Sequence, residues 1–252
     1  CSIDPSGDGD KQSYGGQITS RLLLAVGEGV GSADLEPEAL ARGAVEVLGV
    51  EGAGLSTMVS VLRQPLAATD DECRLAEELQ TTLGDGPCLH ATEVREAVVS
   101  DLADLEARWP QYAEELTSRT RFRSVASVPL QAAGPGVFAA LDLYSENPRL
   151  TETLDPEDIV VVGRITGALL ATTMEQIEDI GSSDGGPAWY RAVSGRRQDV
   201  WVAIGMVMAN QRERTGNALS LLRAHAYSNS RSLDDVAADL VSGRLPLDRV
   251  LD

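Results

Sequence analysis

The chain is short of cysteine, histidine, lysine and aromatic residues. Its three cysteines, Cys1, Cys73 and Cys88, form no C-x-x-C pair in 252 residues. That excludes a disulfide framework and a cysteine-rich zinc module. The two histidines, His90 and His225, lie far apart, so a multi-histidine metal site or a bis-histidine haem is not expected, and neither a metal nor a cofactor is assigned. Long apolar runs are also missing. Val200–Met208, nine residues, continues only to Ala209, against the ~20 that a membrane-spanning helix needs. The opening Cys1–Asp10 has no apolar signal core. Cys1 is read as following an initiator Met that was removed or not shown, the alternative being a lipid-bearing Cys1. The expected location is the cytoplasm, with no membrane partner. Positive charge is scarce, with 21 basic residues (20 Arg, one Lys) against 39 acidic, a net charge of −18. A surface this acidic repels phosphate over most of its area and binds nucleic acid poorly without a specific site.

With 43% apolar and 24% charged residues, the chain has the composition of a globular protein, and its length allows one or two domains. Residues 1–16, rich in Gly, Ser, Asp and Gln, read as a disordered tail. Gly181–Pro187 reads as a Gly/Ser linker. The linker divides the charge. Residues 187–252 hold nine Arg and seven acidic residues, net +2, and residues 1–186 hold 12 basic and 32 acidic residues, net −20. A large acidic domain (17–180) and a small, weakly basic one (188–250) are therefore expected.

The large domain alternates helical and strand patterns. Ile18, Leu22, Ala25, Val26 and Val30 share one helical face, and Pro37 opens a second helix with Leu40, Ala44, Val47 and Leu48 inward. Gly52–Val61 and Leu62–Thr69 read as paired strands, and Asp71–Leu83 as an acidic helix. Phe122–Leu130 and Val137–Tyr144 read as a hairpin across Ala133–Gly136. Asp155 caps a long helix reaching about Glu178, with Pro156 at its first position. The result is an α+β fold around an antiparallel sheet. The small domain reads as three helices, over Ser194–Gln211, over Thr215–Tyr227, and from the Ser232-x-x-Asp235 start signal to Gly243.

Three stretches of the small domain carry a family resemblance: Arg197-x-x-Val200-x-x-Ala203-x-Gly205-x-Val207-Met208, Ala218-x-x-x-Leu222-Arg223, and Leu233-x-Asp235-Val236-Ala237. Together they resemble the ANTAR domain, a three-helix RNA-binding module of bacterial transcription antitermination. Gly84–Cys88, Arg123–Leu130 and Ala139–Tyr144 make the preceding segment similar to a GAF sensor domain. The resemblance implies a GAF-like antiparallel sheet flanked by helices, sensing a small-molecule or protein signal and controlling an all-α ANTAR-like domain. It also implies RNA stem-loops as the target and a homodimer paired through the first and last helices of the sensor domain. Several positions depart from the family pattern, among them Ala226 and Ser230-Arg231-Ser232, where the second helix usually has Ser and then Asn-x-Lys. Trp201, Val202 and Ile204 stand where the family usually has an acidic residue, Gln and Lys.

Arg197, Arg212, Arg214, Arg223 and Arg231 are the candidate RNA contacts, because a planar guanidinium binds phosphate through two bonds and stacks on unpaired bases. The alternative is solvated helix faces with local ion pairs. Val200–Met208 is apolar all round, so it must be buried on every side, in an interface through Trp201, Ile204 and Met208 or in ordinary core. Cys88, Asp101 and Trp109 are named as lining a ligand site between the sheet and the loops around Gly84–His90 and Leu102–Trp109. The alternative is a closed core. No nucleophile–base pair or phosphate loop is present, so no enzymatic activity is expected. The expected function is an antitermination regulator that binds RNA. The alternative is a dimeric signalling protein whose degenerate helical module no longer meets RNA.

Overall fold

The structure, a computed structural model, describes residues 6–27, 30–31, 35–59, 62–131, 136–179, 187–211 and 214–251. Five antiparallel strands, β1 (Gly52–Val59), β2 (Leu62–Ala68), β3 (Val98–Ser100), β4 (Ser124–Gln131) and β5 (Val137–Ser145), pair in the order β2-β1-β5-β4-β3. The alternation of side chains along a strand sends Ala139, Leu141 and Leu143 of β5 into one layer with Ala126, Val128 and Leu130 of β4. That layer is covered by α1 (Ser6–Val26), α2 (Pro37–Leu48) and α7 (Pro156–Asp179). The intervening residues, including Val125 and Tyr144, face α3 (Asp71–Leu83) and α6 (Pro110–Arg119). Between these two helices the chain forms α4 (Pro87–Val94) and α5 (Leu102–Arg108). Both sheet faces are therefore buried, which is the α+β architecture that the GAF resemblance implies.

Local chemistry sets the helix ends. Asp70 accepts a hydrogen bond from Cys73 N (2.8 Å) at the start of α3, and Asp155 accepts one from Glu157 N (2.8 Å) at the start of α7. Helix α3 ends at Gly84 in the left-handed region, φ +70°. It lies so close to β1 that a Cβ at Gly54 would sit 2.3 Å from Glu77.

The small unit holds α8 (Ala188–Gln211), α9 (Thr215–Ser228), α10 (Leu233–Val241) and the short α11 (Asp248–Leu251). Ser232 caps α10, accepting from Asp235 N at 3.1 Å. Helix α8 packs along β2, the outer strand of the sheet. Leu62 of β2 belongs to the same apolar cluster as the small unit's core, and Trp189 packs against the core of the large unit. An open sheet edge is a template for unwanted strand pairing, and here a helix lies along it.

Several expectations change. Helix α1 starts at Ser6, inside the segment expected to be a tail. Val30 is not on that helix, which stops at Val26 before Gly27 (φ +74°). Helix α8 begins at Ala188 rather than Ser194, and α4, α5 and α6 were not anticipated. The Gly181–Pro187 linker up to residue 186 and the loop 132–135 lie outside the described residues. No described helix is long and apolar enough to cross a membrane.

Candidate functional site

A closed chamber inside the large unit and the seam between the two units each gather polar groups.

The chamber is built around Arg63 on β2, whose side chain is 0% exposed. Its Nη2 donates to Glu77 Oε2 (2.5 Å) and Asp142 Oδ2 (2.7 Å). Nη1 donates to the Glu77 carbonyl (2.8 Å) and Thr81 Oγ1 (3.2 Å), and Nε donates to Cys88 Sγ (3.1 Å). Gln80 Nε2 donates to Asp142 Oδ2 (3.2 Å), and the Tyr144 hydroxyl donates to Glu77 Oε1 (2.6 Å). One guanidinium therefore faces two carboxyl groups, all fully buried. Burial pushes the Glu77 carboxyl up to about 8; Arg63 pulls it back, and Asp142 adds to the rise. Asp142 Oδ1 has no hydrogen-bond partner among the described residues.

The three residues expected to line a ligand site do not share one environment. Cys88 borders the chamber, and burial pushes its thiol well up from the ordinary value, which makes it a poor nucleophile. Trp109 is buried in the neighbouring apolar cluster with Leu105, Tyr112 and Phe122. Asp101 flanks the start of α5 and accepts from Thr151 N (3.0 Å) and Thr151 Oγ1 (2.5 Å). The space between the sheet and the Gly84–His90 segment is where the resemblance places a ligand, and side chains of the chamber fill it. Arg63, Glu77, Gln80 and Asp142 were missed in the sequence. A lone Arg in a strand reads as solvent-facing, and its partners are 14 and 79 residues away.

At the seam, Arg223 of α9 is half-buried. Its Nε donates to the Thr81 carbonyl at 3.0 Å, and its guanidinium covers Gly84 so closely that a Cβ there would lie 2.5 Å from Nη1. Burial pulls the Arg223 pKa below its ordinary value. The Leu233 N–H at the start of α10 donates to Thr82 Oγ1 at 3.2 Å. A free carbonyl at the end of one helix and a free N–H at the start of another thus find partners across the seam.

The arginines therefore do not form one outward-facing set. Arg214 is exposed. Arg223 turns toward the large unit. Arg231 bridges to Asp239 Oδ2 (2.5 Å) and the Asp235 carbonyl (3.2 Å), because residues four apart lie on the same face of α10. Arg212 and the side chain of Arg197 lie outside the described residues. Ile204 is 1% exposed and packs with Val200, Ala203 and Val207 in the small unit's core, with Trp201 and Met208 against it. Because Leu62 shares that cluster, the two readings of Val200–Met208 merge: the helix is core of its own unit and part of the seam. The stretch is not buried on every side as expected, because Val202 (40% exposed) and Gly205 lie on the helix face turned away from the cluster.

No family model and no curated protein matches this chain. Among solved structures it is similar to the GAF domain of a sensor histidine kinase from Pseudomonas syringae pv. tomato, at 17% identity and TM-score 0.40, covering 70% of this chain and 100% of that one. It is also similar to a free methionine-R-sulfoxide reductase from Neisseria meningitidis, at 15% identity and TM-score 0.43, covering 69% and 95%. An RNA-binding Light-Oxygen-Voltage receptor aligns at 16% identity and TM-score 0.23, over 79% of this chain and 50% of that one. Likenesses this distant carry nothing about what this chain binds.

Proposed function

We propose that this chain is a two-part regulator, in which a GAF-like sensory domain controls an ANTAR-like module that binds RNA stem-loops in transcription antitermination. The observation that supports this most is where the resemblance positions fall. Val200, Ala203, Val207, Ala218, Leu222, Leu233, Val236 and Ala237 are all buried in one cluster. The sequence register that suggested the module is the packing register of a three-helix core. Arg214 and Arg223 are the phosphate-facing groups of this reading, the second one reachable only when the seam opens. The protein acts as a homodimer through α1 and α7. Leu24 on α1 is 81% exposed and Val160 on α7 56% exposed, and pairing through these helices would cover apolar side chains of this kind. It has no enzymatic role.

The test is a fluorescence-anisotropy titration of tandem stem-loop RNA with the full chain. Binding should weaken as salt rises, because phosphate contacts release counterions. Arg214→Ala should lower affinity without changing the fold. Absence of binding at low salt overturns the reading. A second reading has one observation in its favour: Trp201 and Ile204 occupy family-polar positions and pack in the small unit's cluster. In that reading the module is an interaction element of a dimeric signalling protein that never meets RNA. The titration separates the two.

A further inference from the structure

The last turn of α3 is held by two arginines from opposite sides. From inside the chamber, Arg63 donates to the Glu77 carbonyl and to the hydroxyl of Thr81. From the small unit, Arg223 donates to the carbonyl of the same Thr81. The next residue, Thr82, accepts the Leu233 N–H. Gly84, two residues on, closes the helix and lies under the Arg223 guanidinium.

We propose that this turn is a two-arginine clasp: Arg63 sets its position from the chamber, Arg223 reads that position from the output module, and displacement of the turn frees Arg223 for a polyanion. This regulation rests on the functional reading above. Three features support it. The negative end of a helix attracts a cation, so α3 offers Arg223 a seat without a full ion pair. A carbonyl is a weaker partner than phosphate, which takes a guanidinium through two charge-assisted bonds, so the seat is one a polyanion can compete for. Thr81 spans both grips with one side chain and one carbonyl, and a shift of the chamber is transmitted to the seam within a single residue.

Two left-handed glycines provide the test. Gly84 (φ +70°) and Gly49 (φ +67°) both end helices, but a Cβ at Gly49 meets nothing within 4 Å, whereas one at Gly84 meets Arg223. Gly84→Ala and Gly49→Ala therefore impose the same kind of backbone strain, and only the first disturbs the clasp. The readout is amide exchange at Leu233 in the full chain. As the first residue of α10 its N–H has no partner within the helix, so its protection reports the seam. Gly84→Ala should raise exchange there about tenfold, the effect of losing one charged hydrogen bond, and Gly49→Ala should leave it at the wild-type rate. Thr81→Val, which keeps the carbonyl and removes the inner grip, should raise it in the same direction and serves if Gly84→Ala does not fold. Equal exchange in Gly84→Ala and Gly49→Ala, or wild-type exchange in Thr81→Val, overturns the clasp. RNA affinity should rise about tenfold in Gly84→Ala. If exchange rises while no RNA binds at low salt, the clasp stands and the RNA reading is the part that fails.

Discussion

The two units keep their charges in opposite places. The large one, with net charge −20 over residues 1–186, buries a guanidinium and two carboxyl groups in its interior. The small one has a wholly apolar core, and its described arginines sit on its surface or at its edge. A three-helix core of Val, Leu and Ala needs only area removed from water. A buried charge cluster adds little net stability over an apolar replacement, yet it is strongly destabilised when one partner is lost. The large unit is thus built to respond to a change in charge, and the small one to hold its shape while it is docked or released.

The largest expected effect breaks the chamber. Arg63→Ala leaves Glu77 and Asp142 facing each other unpaired and should cost about 3–5 kcal/mol, measured as a lower urea midpoint of the large unit's transition. Next comes the small core. Ile204→Ala removes a buried side chain and should cost about 2–5 kcal/mol, lowering the melting of the helical unit. Because Leu62 shares that cluster, exchange at Leu233 should rise as well. Under conditions where the Ile204→Ala helical unit is still folded, wild-type exchange at Leu233 would show that the core and the seam are separate.

A pH series sharpens the contrast. Glu77 holds its proton in the folded state up to about 8, whereas the unfolded chain releases it near 4.5. The folded state then binds more protons, so stability falls as pH rises through that window and levels off above it. Thermal melts from pH 5 to 8 should show this decline in the wild type and a flatter one in Glu77→Gln. Equal slopes would remove Glu77 from the account. The smallest effect belongs to Arg231→Ala in the small unit. Its bridge to Asp239 is partly solvated, and pairs of that kind contribute little, so the melting temperature should hardly move.

What the sequence revealed follows the same division. Helix α2 was legible because Pro37 and the spacing of Leu40, Ala44 and Val47 are local signals, and α10 because Ser232 and Asp235 announce its start. The apolar register of α8 to α10 carried the family resemblance for the same reason. The chamber was invisible because its order is long-range: Arg63, Glu77 and Asp142 become neighbours only when β2, α3 and β5 are assembled. Arg223 was identified on a helix and Arg231 in the turn between the last two, but their targets depend on where α3 ends and how α10 is placed. Asp101 and Trp109 were chosen by position near an expected pocket; in the structure Asp101 flanks the start of α5 and Trp109 ends that helix, buried with Leu105 and Tyr112.

The most direct measurement is amide exchange at Leu233 during a titration with tandem stem-loop RNA. The account predicts that exchange accelerates and saturates together with RNA binding, as phosphate draws Arg223 off the end of α3. RNA that binds to saturation while Leu233 keeps its protection, or RNA that does not bind at all, would contradict it.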